Sequence, residues 1–196
     1  MNNIFRIEKN IIFYPKGSII KSENLFFLIE GLLHNYVITK ANKIRTINLV
    51  LNNTIFGNFN YNSYKYLNYY ECISDVKIIK INYKQILKII NKNPEYISSF
   101  FQYYHQRIED IENFTNILYH KDAKDRLCSL LLFLGHFFGH NSNDGIKISI
   151  NISQQMIGKI IGASRITINR LIKRLKKDKK IKIYQKKITL IKILSL

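Results

Sequence analysis

At 196 residues, with 46% hydrophobic and 13% aromatic side chains, the chain is long enough to bury a core and too apolar for a disordered tail. No apolar run reaches the roughly 18–20 residues of a membrane span, and the opening MNNIFRIEKN lacks the basic segment, apolar core and cleavage site of a signal peptide. A soluble intracellular protein with no membrane partner is expected, and a formal charge of +18 points to a polyanion.

In chain order, residues 11–83 read as short strands and turns. IIFYPKGSII turns at Pro15–Gly17, and LFFLIEGLLHNYVI is two strands about Glu30-Gly31. KIRTINLVL is a strand, NNTIFGNF a turn and ECISDVKIIKIN a strand pair. Short strands at this spacing predict a small β-barrel or roll. The period changes near residue 93. Asn93 is placed to cap a helix, with Pro94 at its first position and Glu95 in its first turn. Ile97, Phe101, Tyr104, Ile108, Ile111, Thr115 and Leu118 then recur at alternating intervals of four and three, a heptad seam. So narrow a stripe suits a parallel dimer helix, with Arg107 and Glu112 as an ion pair between chains. The alternative is a helix lying on its own β-domain.

A second helix runs from Asp122 to Gly139 and is apolar around most of its circumference. HNSNDG is a polar turn, and IKISINI alternates as a strand. Next comes ISQQMIGKIIGASRITINRLIKRL, residues 152–175. Ser153 caps a short helix with Ile157, Ile160 and Ile161 inward, and Gly162-Ala163 makes a tight turn. Ser164 caps a second helix, from Arg165 to about Lys177, with Ile168, Leu171, Ile172 and Leu175 inward. Arg165 and Asn169 share its outward side, with Arg170 beside them, and Ile166 falls outside the inner face. This is a helix-turn-helix. Arg grips guanine O6 and N7 with two hydrogen bonds, while Lys173, Arg174, Lys176 and Lys177 suit phosphates. A hairpin of IKIY and ITLIKI, with Lys186 and Lys187 at its tip, would be the wing. Residues 151–196 hold a net charge of +12 with one acid, Asp178, against +5 for residues 1–120.

Catalysis and metal binding find no support. There is no nucleophile–base pairing, no phosphate-binding Gly loop and no CxxC, so no enzyme is expected. Cys72 and Cys128 read as small apolar packing residues. His34, His105, His120, His136 and His140 show no ligand spacing, so haem, an iron–sulfur cluster and other metals are not expected. The tyrosines from Tyr61 to Tyr70 read as barrel packing. A basic plastid RNA-binding or ribosome-associated protein would share the composition, but not the heptad or the capped helix pair.

The order of parts resembles the CRP/FNR family of transcription regulators over roughly residues 11–193. Within that family it resembles the nitrogen regulators of cyanobacteria and red-algal plastids, through LYHKDAKDRLCSLLLFLGHFFG, DGIKISINISQQMIGKIIGASRITINRL and KKITLIKI. The resemblance implies an α+β protein with three parts. A jelly roll of the cyclic-nucleotide-binding type spans 1–93, a dimerisation helix 94–120, and a winged helix-turn-helix 121–196. It further implies a homodimer that reads a palindromic site on double-stranded DNA, regulates nitrogen genes and contacts RNA polymerase. Carried over, Arg165 and Arg170 read bases, Ser164 and Thr167 belong to the recognition helix, and Gln154 and Gln155 hold phosphates. Where cAMP-responsive members have a Glu, this chain has Ile166, which implies half-sites of the GTA…TAC kind. Gly158 stands where Ala is usual, at an expected cost of about 0.5–1 kcal/mol. The Ile, Lys, Asn, Tyr and Phe bias follows AT-rich codons and suits a plastid stroma, or the cytoplasm of an AT-rich bacterium.

For the effector, the cyclic-nucleotide cassette requires a Gly-Glu pair and an Arg beside a small residue. FGNFNYNSYKYLNYYECIS holds neither, so cAMP is not expected. In the nitrogen regulators 2-oxoglutarate sits between roll and helix, and its site matches Phe56, Gly57, Asn58, Phe59, Arg107 and Glu112. The roll Arg of that site has no match, since Leu67 or Tyr69 falls near its place and Lys65 is the nearest cation. A planar fork replaced by a point charge implies weak or altered 2-oxoglutarate sensing, or a constitutive regulator without an effector.

Overall fold

The computed structural model describes residues 11–21, 24–58 and 67–191. The chain divides into two compact units between Phe114 and Thr115.

Among the described residues, eight strands of the first unit build a roll of two antiparallel sheets. They are β1 (Ile11–Tyr14), β2 (Ile19–Lys21), β3 (Leu25–Glu30), β4 (Leu33–Ile38), β5 (Ile44–Val50), β6 (Thr54–Gly57), β7 (Asn68–Cys72) and β8 (Val76–Ile81). One sheet has the order β1-β8-β3-β6 and the other β2-β7-β4-β5. Successive strands therefore mostly change sheet at the turns. The pair read in ECISDVKIIKIN is two strands of opposite sheets, not a hairpin. NNTIFGNF is also more than a turn. Asn53 makes the corner at φ 61°, and the next four residues are the buried strand β6.

Period-two alternation explains why the first sheet is buried on both faces. Phe26, Leu28 and Ile78 point inward, with Leu33, Val50, Tyr70 and Cys72 of the other sheet. Leu25, Phe27, Ile79 and Ile81 form a second layer outside. Ile86, Ile89 and Ile90 of α1 (Tyr83–Lys92) and Tyr96, Phe100 and Tyr103 of α2 (Tyr96–Tyr119) cover that layer. Helix α1 has no counterpart in the sequence reading. Its β-branched run resembles a strand, but Asn82 Oδ1 accepts from the Lys84 N–H at 3.1 Å and caps a helix.

Asn93 does not cap α2. It closes α1 instead, its N–H donating to Ile89 O at 2.9 Å, and α2 begins two residues after Pro94. Nor is the apolar stripe of α2 narrow. Tyr96, Phe100, Tyr103, Arg107, Asp110, Phe114 and Ile117 form a second stripe of the same spacing, one residue out of step with the first. Its first three members pack on the roll, so residues 96–114 belong with the first unit and do not stand apart from it. Of the expected seam, Ile97, Phe101, Tyr104, Ile108 and Thr115 are exposed, while Ile111 and Leu118 are half-buried.

The second unit holds α3 (Ala123–Phe138), β9 (Gly139–Ser142), β10 (Gly145–Ile148), α4 (Gln154–Ile161), α5 (Arg165–Lys177), β11 (Ile181–Tyr184) and β12 (Lys187–Leu190). Its sheet has the order β11-β12-β10-β9. HNSNDG thus supplies an edge strand as well as a turn, and the strand read in IKISINI ends at Ile148. Cys72 and Cys128 are free and buried, and burial pushes the Cys72 thiol up to about 12. No helix among the described residues is long and apolar enough to cross a membrane.

Candidate nucleic-acid interface

The helix pair of the second unit follows from local chemistry. Ser153 Oγ accepts from the Met156 N–H at 3.1 Å and starts α4. Gly162 ends it in the left-handed conformation, at φ 67°. Ser164 Oγ accepts from the Thr167 N–H at 3.0 Å and starts α5. Ile157, Ile160, Ile161, Ile168, Ile172 and Leu175 are buried between these elements. Gly158 is required by close approach: a Cβ there would lie 2.6 Å from Ala163 O. The cost expected of this glycine is therefore set against a contact that Ala would crowd.

Packing leaves one face of α5 outward. Arg165, Ile166, Asn169, Arg170, Lys173 and Arg174 are all exposed. Thr167 is half-buried, and its Oγ1 lies 2.8 Å from Ser164 Oγ, within the cap. Gln155 is exposed and Gln154 half-buried at the start of α4, and a groove lined by Gln154, Ile172, Ile183, Lys186 and Ile188 runs from there to the wing. In the wing, Gln185 and Lys186 both take positive φ, 47° and 63°, between the paired Tyr184 and Lys187. Lys186 and Lys187 are exposed. Cations and polar groups thus stand on the outward face of α5 and at the wing tip, isoleucines line most of the groove, and no acid lies on α5 itself. Such a face is chemically suited to phosphates, and its Arg and Asn side chains carry groups that can pair with base edges.

Sequence reasoning passed over Arg126. Its Nε donates to Ile161 O at 2.9 Å, and its Nη1 to His120 O and Lys121 O, both at 2.8 Å. In the sequence Arg126 follows Lys124 and Asp125 in the charged first turn of α3, ahead of its apolar run.

In the first unit the residues of the expected effector site meet in part. Arg107 Nη1 donates to Gly57 O at 3.3 Å. Gly57 has φ 94°, and a Cβ there would lie 2.0 Å from Asn24 O, so only glycine fits. Its N–H donates to Tyr70 Oη at 3.2 Å, and the Asn58 N–H donates to Asn24 O at 3.2 Å. Phe56 is buried and stacks on Phe26, with ring centroids 5.3 Å apart. Glu112 is exposed. Phe59, Lys65 and the tyrosines Tyr61, Tyr64 and Tyr66 lie outside the described residues. Beside Arg107 is a group the sequence reading missed, Asp110. It is buried, accepting from Thr54 Oγ1 at 3.0 Å and from Gln106 Nε2 at 3.1 Å. Burial raises its carboxyl above the usual range, against those two hydrogen bonds.

Comparison with known proteins agrees with this layout. The Crp-like helix-turn-helix domain family matches residues 125–196. The chain is 30% identical to the "Global nitrogen regulator" of Nostoc sp. over 188 residues, 94% of this chain and 83% of that protein. It is 28% identical to the "Putative HTH-type transcriptional regulator ycf28" of Porphyra purpurea, covering 95% and 77% of the two chains. Among solved structures, the CRP-family regulator TTHB099 of Thermus thermophilus shares the fold with a TM-score of 0.77 at 15% identity, over 93% of this chain and 92% of that one. FixK2 of Bradyrhizobium japonicum does so at 0.74 and 16%, over 94% and 93%. The relatives are regulators and not enzymes. On the Nostoc likeness, the matching domain and a helix-turn-helix built as described, the chain belongs to the CRP/FNR family of DNA-binding transcription regulators.

Proposed function

We propose that the protein is a homodimeric regulator of nitrogen-assimilation genes that reads a palindromic site with GTA…TAC half-sites. The observation that carries this reading is the exposed row Arg165, Asn169 and Arg170 on the Ser164-capped helix α5. Exposed apolar residues at heptad spacing on α2, Phe101 at 63% above all, favour a second copy as their cover. Two-fold symmetry then sets the two reading helices one DNA turn apart. Likeness to the global nitrogen regulators of Nostoc, Synechocystis and Synechococcus supports the choice of genes. AT-biased composition, with the Porphyra relative, supports a plastid stroma. RNA polymerase is the partner through which such a regulator acts.

The β-roll is a weakened or altered 2-oxoglutarate sensor. Arg107 beside Gly57 favours an anion there, since a guanidinium matches a carboxylate. A second reading, a constitutive regulator, draws on the Gly57 and Asn58 N–H groups, whose bonds to Tyr70 and Asn24 a carboxylate would have to displace. Titration of a GTA…TAC duplex with and without 2-oxoglutarate, beside calorimetry of the ligand, separates the two. Heat at millimolar ligand with altered duplex affinity supports the sensor; no heat and unchanged affinity leave the constitutive regulator. Preference for structured RNA over the duplex in a gel shift would overturn both.

A further inference from the structure

Ile166, in the first turn of α5, is 83% exposed. Ile168, two residues on, is fully buried, so the helix has an inward face for isoleucine and Ile166 is not on it. Asn169, Arg170 and Lys173, three, four and seven residues further, share its face and are exposed. Ile166 therefore stands in the middle of the polar, cationic surface, flanked by Arg165 on its N-terminal side. A β-branched side chain gains nothing as an exposed helix former. Its position calls for something apolar within a surface otherwise suited to DNA. In the major groove each base pair offers donors and acceptors, and thymine alone adds an apolar group, its C5 methyl.

We propose that Ile166 is a base-reading residue that packs on the C5 methyl of one thymine in each half-site. Arg165 and Arg170 supply the charged contacts on either side, and Ile166 supplies selection for T at a position where hydrogen bonding alone would leave other bases tolerated. The inference rests on the DNA-binding reading of α5 and adds a specific chemical contact to it.

The test uses the full chain and a duplex selected from a random pool. Each thymine in turn is replaced by deoxyuridine, which removes the methyl and nothing else. One thymine per half-site is expected to cost the wild type about fourfold in affinity, the worth of one buried methyl. Ile166→Ala, which alters both subunits, should bind the thymine duplex about as weakly as the wild type binds a duplex carrying deoxyuridine at that position in both half-sites. It should be indifferent to that substitution, and its salt dependence should be unchanged, because no phosphate contact is lost. If the wild type is indifferent to every deoxyuridine, or Ile166→Ala keeps the full sensitivity, the Ile166 contact is overturned while DNA binding stands. If no duplex is enriched at all, the failure lies with sequence-specific binding itself.

Discussion

The winged-helix unit and the β-roll unit treat their polar groups in opposite ways. On α5 and the wing, Arg165, Asn169, Arg170 and Lys186 are held out in water, while the cap residues Ser153 and Ser164, with Thr167, are engaged locally and Lys182 pairs with Asp144. In the roll, groups of the proposed effector site close on protein partners, Gly57 with Arg107 and Tyr70 and Asn58 with Asn24, and beside them Asp110 is bonded to Thr54 and Gln106. A surface for a large polyanion keeps its charges exposed at little cost, since water solvates them until the partner arrives. A site for a small anion must bury its donors. Donors buried there find partners inside the protein, because an unpaired one would cost about 1–3 kcal/mol.

The largest effects should fall on the exposed side of this contrast. Arg165→Ala or Arg170→Ala should cost about 1–3 kcal/mol of discrimination, roughly five- to 150-fold, read by anisotropy with a selected against a scrambled duplex. Lys173→Ala should weaken both duplexes alike and lower the salt slope of the dimer by about two, one for each subunit. An equal loss of discrimination from Arg107→Ala, with no small ligand present, would break the contrast.

Next in size is Gly57→Ala. A side chain at positive φ, against a carbonyl, should cost at least about 1–3 kcal/mol in thermal unfolding of the full chain. Asp110→Asn sharpens the contrast through pH. A carboxyl whose folded value is raised stabilises the fold below its unfolded value of 3.8, and that stabilisation is lost as pH rises through the folded value. The asparagine variant should therefore gain on the wild type from pH 4 towards 7 in denaturant titrations and lose that advantage in acid. The smallest effect is that of Gly158→Ala. Helix propensity offers about 1 kcal/mol, but the crowding of Ala163 O opposes it. Its melting temperature should not exceed that of the wild type.

Sequence reading succeeded where signals were local. Ser153, Gly162 and Ser164 punctuate the helix pair, and the inner isoleucines recur at helical spacing, so caps, turn and outward face were all legible. It failed where the deciding contact was distant. Asn93 reads as an N-cap, but Asn82 had already started a helix that Asn93 closes. The inner stripe of α2 was hidden because Arg107 and Asp110 interrupt it with charge. These are the two positions where the helix meets β6 through hydrogen bonds and not through apolar packing. Likewise Arg126 went unread, since no spacing rule announces a guanidinium shared by three carbonyls.

That guanidinium has a mechanical consequence. Residues 120 and 121, just before α3, and Ile161, at the end of α4, are joined through one rigid plane and not through a flexible chain of contacts. Ile161 immediately precedes Gly162, which sets the direction in which α5 leaves the turn. Arg126 therefore works as a tie rod. Its three bonds hold residues 120–121 against the turn that aims α5, and a Lys in its place, a point charge without the planar fork, would not hold both ends in one plane.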